Sequence, residues 1–232
     1  AYKSRMKVAD LSSPDEIKIF DDLKEQVLQA GIALKNDMKV ITLQMDEPTL
    51  DDTMPDNERF TRALRAQTGV NVIRISYTAL NKLAFVLRES HFDIQVVLRE
   101  TEKDLFVYDV FEKEKNVIVG GMAVDIGTTT VSAIIIDMLT GEILAKGSAG
   151  NGQIRYGADV INRIIESGKP GGREKLQKAI IDETINPLVD TMCRQAHLDH
   201  EQIYRLCIAS NTTMNHLLLG VFADPVRMQP FV

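Results

Sequence analysis

Apolar positions along the chain change period several times, and the changes outline its parts. In "SSPDEIKIFDDLKEQVLQAG", Ile17, Phe20, Leu23 and Val27 recur at helical spacing behind a Ser-Pro-Asp start, and Gly31 closes the run. One helix makes no core, so residues 1–37 read as a linker region that packs on something else. "KVITLQM" then alternates, with Ile41, Leu43 and Met45 on one face of a strand. "PDNERFTRALRAQTG" predicts a helix with Pro55 near its start, Gly69 at its end, and Phe60, Ala63 and Leu64 on its apolar side. "NVIRIS" predicts a short strand. "YTALNKLAFVLRES" predicts a helix buried through Leu80, Leu83 and Leu87. "FDIQVVLRETEKDLFVYDVF" predicts a hairpin around a charged turn. Residues 38–118 thus form a small α+β middle domain in which no catalytic side chains gather.

Past residue 118 the pattern changes. Three strands follow closely, at about 121–126, 130–137 and 142–148. Two helical stretches come next, "GADVINRIIES" and "GREKLQKAIIDETINPLVDTMCRQAHL", the second bent at Pro187. "IYRLCIAS" reads as a buried strand, and "NTTMNHLLLG" opens a helix with Asn211 or Thr212 as its cap. A strand meander, then helices, then a strand and a helix, is the order of one lobe of a two-lobed nucleotide-binding fold.

Composition removes several functions. At 232 residues, 44% hydrophobic and 26% charged, the chain suits one large or two small soluble domains. Its net charge of -6 gives no electrostatic support to nucleic-acid binding. No apolar run reaches the roughly 18–20 residues of a membrane span, and "AYKSRMKVADL" has no signal-peptide h-region. The expected location is cytoplasmic. The two cysteines, Cys193 and Cys207, read as buried thiols of a reducing compartment and are too few for an iron–sulfur cluster. His197 and His200, in "HLDHE", read as an exposed helix end.

The chemistry sits in two polar bends. Asp125 closes the strand before "GTTT", so its carboxylate emerges at the strand end. Gly127 lets backbone approach a ligand, and Thr128, Thr129 and Thr130 offer hydroxyls beside backbone N–H groups that suit phosphate oxygens. No lysine lies in this bend, so phosphate charge needs another counterion. Mg²⁺ held by Asp125, directly or through water, supplies one. The second bend, "ASNTTMNHL", puts Asn211, Thr212 and Thr213 at a helix N-terminus, which favours anions. A hairpin turn facing solvent and an ordinary helix cap are the plain alternatives. Neither G-x-x-x-x-G-K-[ST] nor G-x-G-x-x-G is present.

"VDIGTTTVSAIIID" resembles the first phosphate loop of the acetate kinase, sugar kinase, Hsp70 and actin superfamily. "GMAVDIGTTTVSAIIIDMLTGEILA", "NGQIRYGADVINRI" and "ASNTTMNHLLLG" together resemble the reductive activators of corrinoid proteins. Ser210 departs from that pattern, where the family has Gly. The resemblance implies that residues 119–232 are the N-terminal lobe of an actin-like, RNase H-like ATPase domain. It implies ATP and Mg²⁺ as cofactors and a corrinoid protein of a methyl-transfer system as partner. ATP hydrolysis there drives the return of its cobalt from Co(II) to Co(I). The family's [2Fe–2S] cluster belongs to a ferredoxin domain not seen here. Asp125-Ile-Gly127 is the only Asp-x-Gly, so the second lobe is missing too, and the chain is expected to be a fragment with weak or no ATP turnover. A homodimer through the middle domain or the half-lobe is compatible with this. A small-molecule kinase, an acyl-CoA dehydratase activator and a non-catalytic docking module on a corrinoid protein remain alternatives.

Overall fold

The computed structural model describes residues 7–8 and 36–231. The helix expected over residues 12–31 lies outside the described residues. The chain divides into two compact units, Ile32–Val119 and a second made of Gly120–Val232 with the chain start.

The first unit is a mixed sheet of order β2-β4-β5-β3 with two helices. Its elements are β2 (Met38–Gln44), α1 (Asp56–Thr68), β3 (Ile73–Ile75), α2 (Tyr77–Glu89), β4 (Asp93–Glu100) and β5 (Leu105–Glu112). β2 and β5 flank β4 antiparallel, and β3 joins β5 in parallel. Leu43, Phe60, Leu64, Leu83, Leu87, Ile94, Leu98 and Leu105 form the core. Pro55 precedes α1, and Gly69 closes it in the left-handed conformation that only glycine adopts without strain (φ 73°). Leu80 departs from expectation. It is 48% exposed, on the outer side of α2 with Tyr77 and Phe85, because Ala79, Leu83, Val86 and Leu87 already fill the inner side.

The second unit is a mixed sheet of order β1-β8-β7-β6-β9. β1 (Lys7–Val8), β6 (Gly120–Ile126), β7 (Thr130–Asp137) and β8 (Ile143–Gly150) pair antiparallel, and β9 (Ile203–Ser210) runs parallel to β6. Helices α3 (Val160–Ser167), α4 (Gly172–Ile180), α5 (Asn186–Ala196), α6 (Thr212–Leu219) and α7 (Asp224–Arg227) complete it. α5 packs on β8, and α4 on α3 and α6. Val124, Ile126, Val131, Ile135, Leu176, Ile180, Leu188 and Met192 are buried in this unit.

Two expectations change here. The disturbance near Pro187 is a turn of π-helix over Ile181–Ile185, just ahead of the proline in the first turn of α5. A proline ring clashes with the carbonyl four residues earlier, so the wider turn takes up the misfit. β9 is less buried than its apolar sequence suggests: Leu206 is 56% exposed and Cys207 is exposed, whereas Cys193 is buried. Among the described residues β9 has a neighbour on one side only, which leaves its side chains half covered.

Candidate functional site

The two polar bends of the sequence meet. Because β6 and β9 are parallel neighbours, with Asp125 opposite Ala209 and Ile126 opposite Ser210, the segments leaving their C-terminal ends lie side by side. Carboxyl ends of adjacent parallel strands are where open α/β sheets bind ligands. Asn211 Nδ2 lies 3.4 Å from Thr128 Oγ1, which joins the bends.

Each bend has its own local cause. Gly127 N donates to Thr130 O at 2.9 Å, closing a tight turn between β6 and β7. A Cβ on Gly127 would stand 2.6 Å from that same oxygen, so glycine is required by the turn itself. Asn211 caps α6 by accepting from Met214 N at 3.0 Å. The N–H groups of Thr212 and Thr213 precede any intrahelical acceptor.

Of the expected site residues, Asp125, Thr129, Thr130, Asn211 and Thr212 are exposed, and Gly127 and Thr128 are half-buried. Thr213 differs: it is 7% exposed and belongs to the interior, so its side chain is not among the solvent-open groups. The backbone of Asp125 sits in the β6 ladders, and its carboxylate has no hydrogen bond or ion pair to any described residue. Among the described residues no three His, Cys, Asp or Glu side chains gather as a metal cluster.

Residues outside the two bends hold them in place. Asn151, fully buried, donates from Nδ2 to Gly127 O at 2.9 Å and from its backbone N to Thr129 O at 2.8 Å. The same Nδ2 lies 3.7 Å from Met214 Sδ, and Arg163 Nη1 approaches that sulfur to 3.5 Å. The sequence signal for Asn151 was faint, an Asn-Gly after a strand. Its Oδ1 does accept from Gln153 N at 2.9 Å, the local turn that such residues favour. Arg155, also in that stretch, pairs with Glu183 and stacks over Tyr156 at 4.9 Å.

Residues 27–116 match the family region described as RACo linker region, and residues 120–232 that described as RACo middle region. The chain belongs to the RACo family. Within this similarity, 122 residues are 37% identical to a corrinoid activation enzyme, RamQ, of Eubacterium limosum, covering 52% of this chain and 20% of the relative. A solved structure of a reductive activator for corrinoid, iron-sulfur protein superposes with a TM-score of 0.68 at 32% identity, over 86% of this chain and 32% of the other. The chain therefore spans about a fifth to a third of the length of these relatives. Both RACo regions map onto α+β units, each built on one mixed sheet.

Proposed function

We propose that this chain is the linker and first ATPase lobe of an ATP-dependent reductive activator, which returns the cobalt of a corrinoid protein from Co(II) to Co(I). The observation that carries the nucleotide part is the meeting of the two bends beside the Asp125 carboxylate, unpaired among the described residues, at the ends of parallel strands. The names of the two relatives support the corrinoid part. The antiparallel meander β6-β7-β8 with β9 added parallel to β6 is the arrangement expected of an actin-like lobe. The match of residues 27–116 to the linker region favours this reading over a small-molecule kinase.

The residues fit a phosphate chain with Mg²⁺. Mg²⁺ is commonly held by one or two carboxylates together with substrate phosphates, and Asp125 offers one that pairs with no cationic side chain among the described residues. When bound, the ion neutralises phosphate charge. Thr128, Thr129 and Thr130 and the first turn of α6 supply hydrogen-bond donors for the phosphate oxygens, and Asn151 holds the backbone of the threonine bend in register. On this reading a [2Fe–2S] cluster would supply the one electron that converts Co(II) to Co(I), and no residue of this chain is assigned to hold it. Nucleotide binding contributes by favouring one arrangement of the complex with the corrinoid protein. The expected setting is cytoplasmic, and a homodimer of the activator is compatible with this reading.

The test is calorimetric titration of ATP into the intact activator, with and without Mg²⁺, for the wild type and for Asp125→Ala. The wild type should bind more tightly with the ion, and Asp125→Ala should lose that gain along with corrinoid-stimulated hydrolysis. A variant that keeps both sinks the assignment.

A further inference from the structure

Arg163 is a cation that the bare fold does not balance. Its side chain leaves α3 and is 0% exposed. Nε donates to the Gly157 carbonyl at 2.8 Å, and Nη1 meets only the thioether of Met214, a weak neutral acceptor, at 3.5 Å. Nη2 is buried without a partner. No carboxylate pairs with the guanidinium among the described residues. Asp159, one turn back, commits its two oxygens to the backbone N and the Nδ2 of Asn162. Burial pushes the guanidinium pKa down and the charge of Asp159 partly opposes that, yet an arginine stays protonated. A buried charge left unpaired is among the costliest features a fold can carry.

The position sharpens the imbalance. Met214 lies in the first turn of α6, at the positive pole of the helix dipole, where a neighbouring cation is unfavourable. The same sulfur is next to Asn151, which holds the Gly127 carbonyl. Arg163 and the N-terminus of α6 are thus two positive poles linked through Met214 and Asn151 to the threonine bend, where residues 127–130 contain no basic side chain and Asp125 is the neighbouring acid that Mg²⁺ would neutralise. An anion between the bends relieves both the buried charge and the dipole.

We propose that Arg163 is the built-in countercharge of this cleft: a buried positioning residue that strengthens the binding of phosphate groups between the bends after β6 and β9 without touching them. The proposal rests on the nucleotide reading for the ligand's identity and on the geometry around Met214 for its charge. The alternative is a strut that only packs α3 against α6.

Titration of the full-length activator with Mg²⁺·ATP, Mg²⁺·ADP, AMP and inorganic tripolyphosphate separates the two, with thermal unfolding recorded for each variant. Arg163→Met should lose about tenfold in affinity for ATP, less for ADP and least for AMP. Arg163→Lys should stay near the wild type. An equal loss for all three nucleotides, or no loss in a folded variant, overturns the proposal in favour of the strut. Should Arg163→Met fail to fold, Arg163→Gln, neutral but still a donor, takes its place with the same two outcomes. A wild type that binds tripolyphosphate with this Arg163 dependence but ignores nucleotides upholds the countercharge and refutes the nucleotide reading. A wild type that binds none of the four refutes both.

Discussion

At the scale of single residues, buried cations organise both units, but by different means. Arg59 is 1% exposed and is paired with an acid: Nη1 bonds Asp52 Oδ2 at 2.8 Å and the Asp46 carbonyl at 3.2 Å, and Nη2 bonds the Asp52 carbonyl at 3.3 Å, while Nε is buried without a partner. This ties the loop after β2 to α1. The hydrogen bond from Arg59, followed by one from Met54 N, holds the Asp52 carboxyl below its ordinary value of 3.8. A group depressed in the folded state adds stability above its ordinary value and loses it as pH falls through the lower folded value. Wild type should therefore resist urea better than Asp52→Asn near neutrality. That advantage should disappear as pH drops well below 3.8, as paired denaturation curves at the two pH values would reveal. Equal midpoints at neutral pH would mean the clamp contributes nothing. Arg163 has no ion pair among the described residues, since the nearby Asp159 bonds Asn162 instead, and this difference in pairing is what motivates the countercharge proposal.

At the scale of elements, the π turn is the feature with the clearest internal logic. Thr184 is buried in it, accepts from Gly152 N at 3.0 Å and donates to the Ala179 carbonyl at 2.7 Å. One hydroxyl thereby staples the α4–α5 junction to the short 3₁₀ segment Gly152–Tyr156, which follows Asn151. Thr184→Val keeps the shape and strands both partners, so it should cost about 1–3 kcal/mol of unfolding free energy. A urea midpoint within error of the wild type would show that the staple is idle. A helix break at Pro187 was legible in sequence. The π turn was not, because its seat depends on Gly152, 32 positions from Thr184 along the chain and brought beside it by packing. Leu80 teaches the same lesson: helical spacing offers two apolar faces on α2, and only the sheet beneath chooses one.

At the scale of the whole molecule, the division at Val119/Gly120 separates two cores. The first has its own sheet, two helices and a continuous apolar cluster from Leu43 to Val110. Residues 32–119 produced alone should fold, giving mixed α/β circular dichroism and one cooperative thermal transition. A chain without a transition would show that this unit depends on the rest of the protein.

Local pattern by itself determined the main strands and helices between residues 38 and 219 and their order, the two α+β parts, and the residue types of the two bends. Those properties follow from short-range rules: apolar period, proline and glycine punctuation, and caps such as Asn211. Tertiary structure alone decided which distant groups meet. It set the bends side by side through the parallel pairing of β6 with β9, drew Thr213 inward, left Cys207 exposed, and buried Arg163 against Met214 without an ion pair among the described residues. Sheet register and helix packing join residues dozens of positions apart, and no local periodicity encodes which charge ends up under which helix.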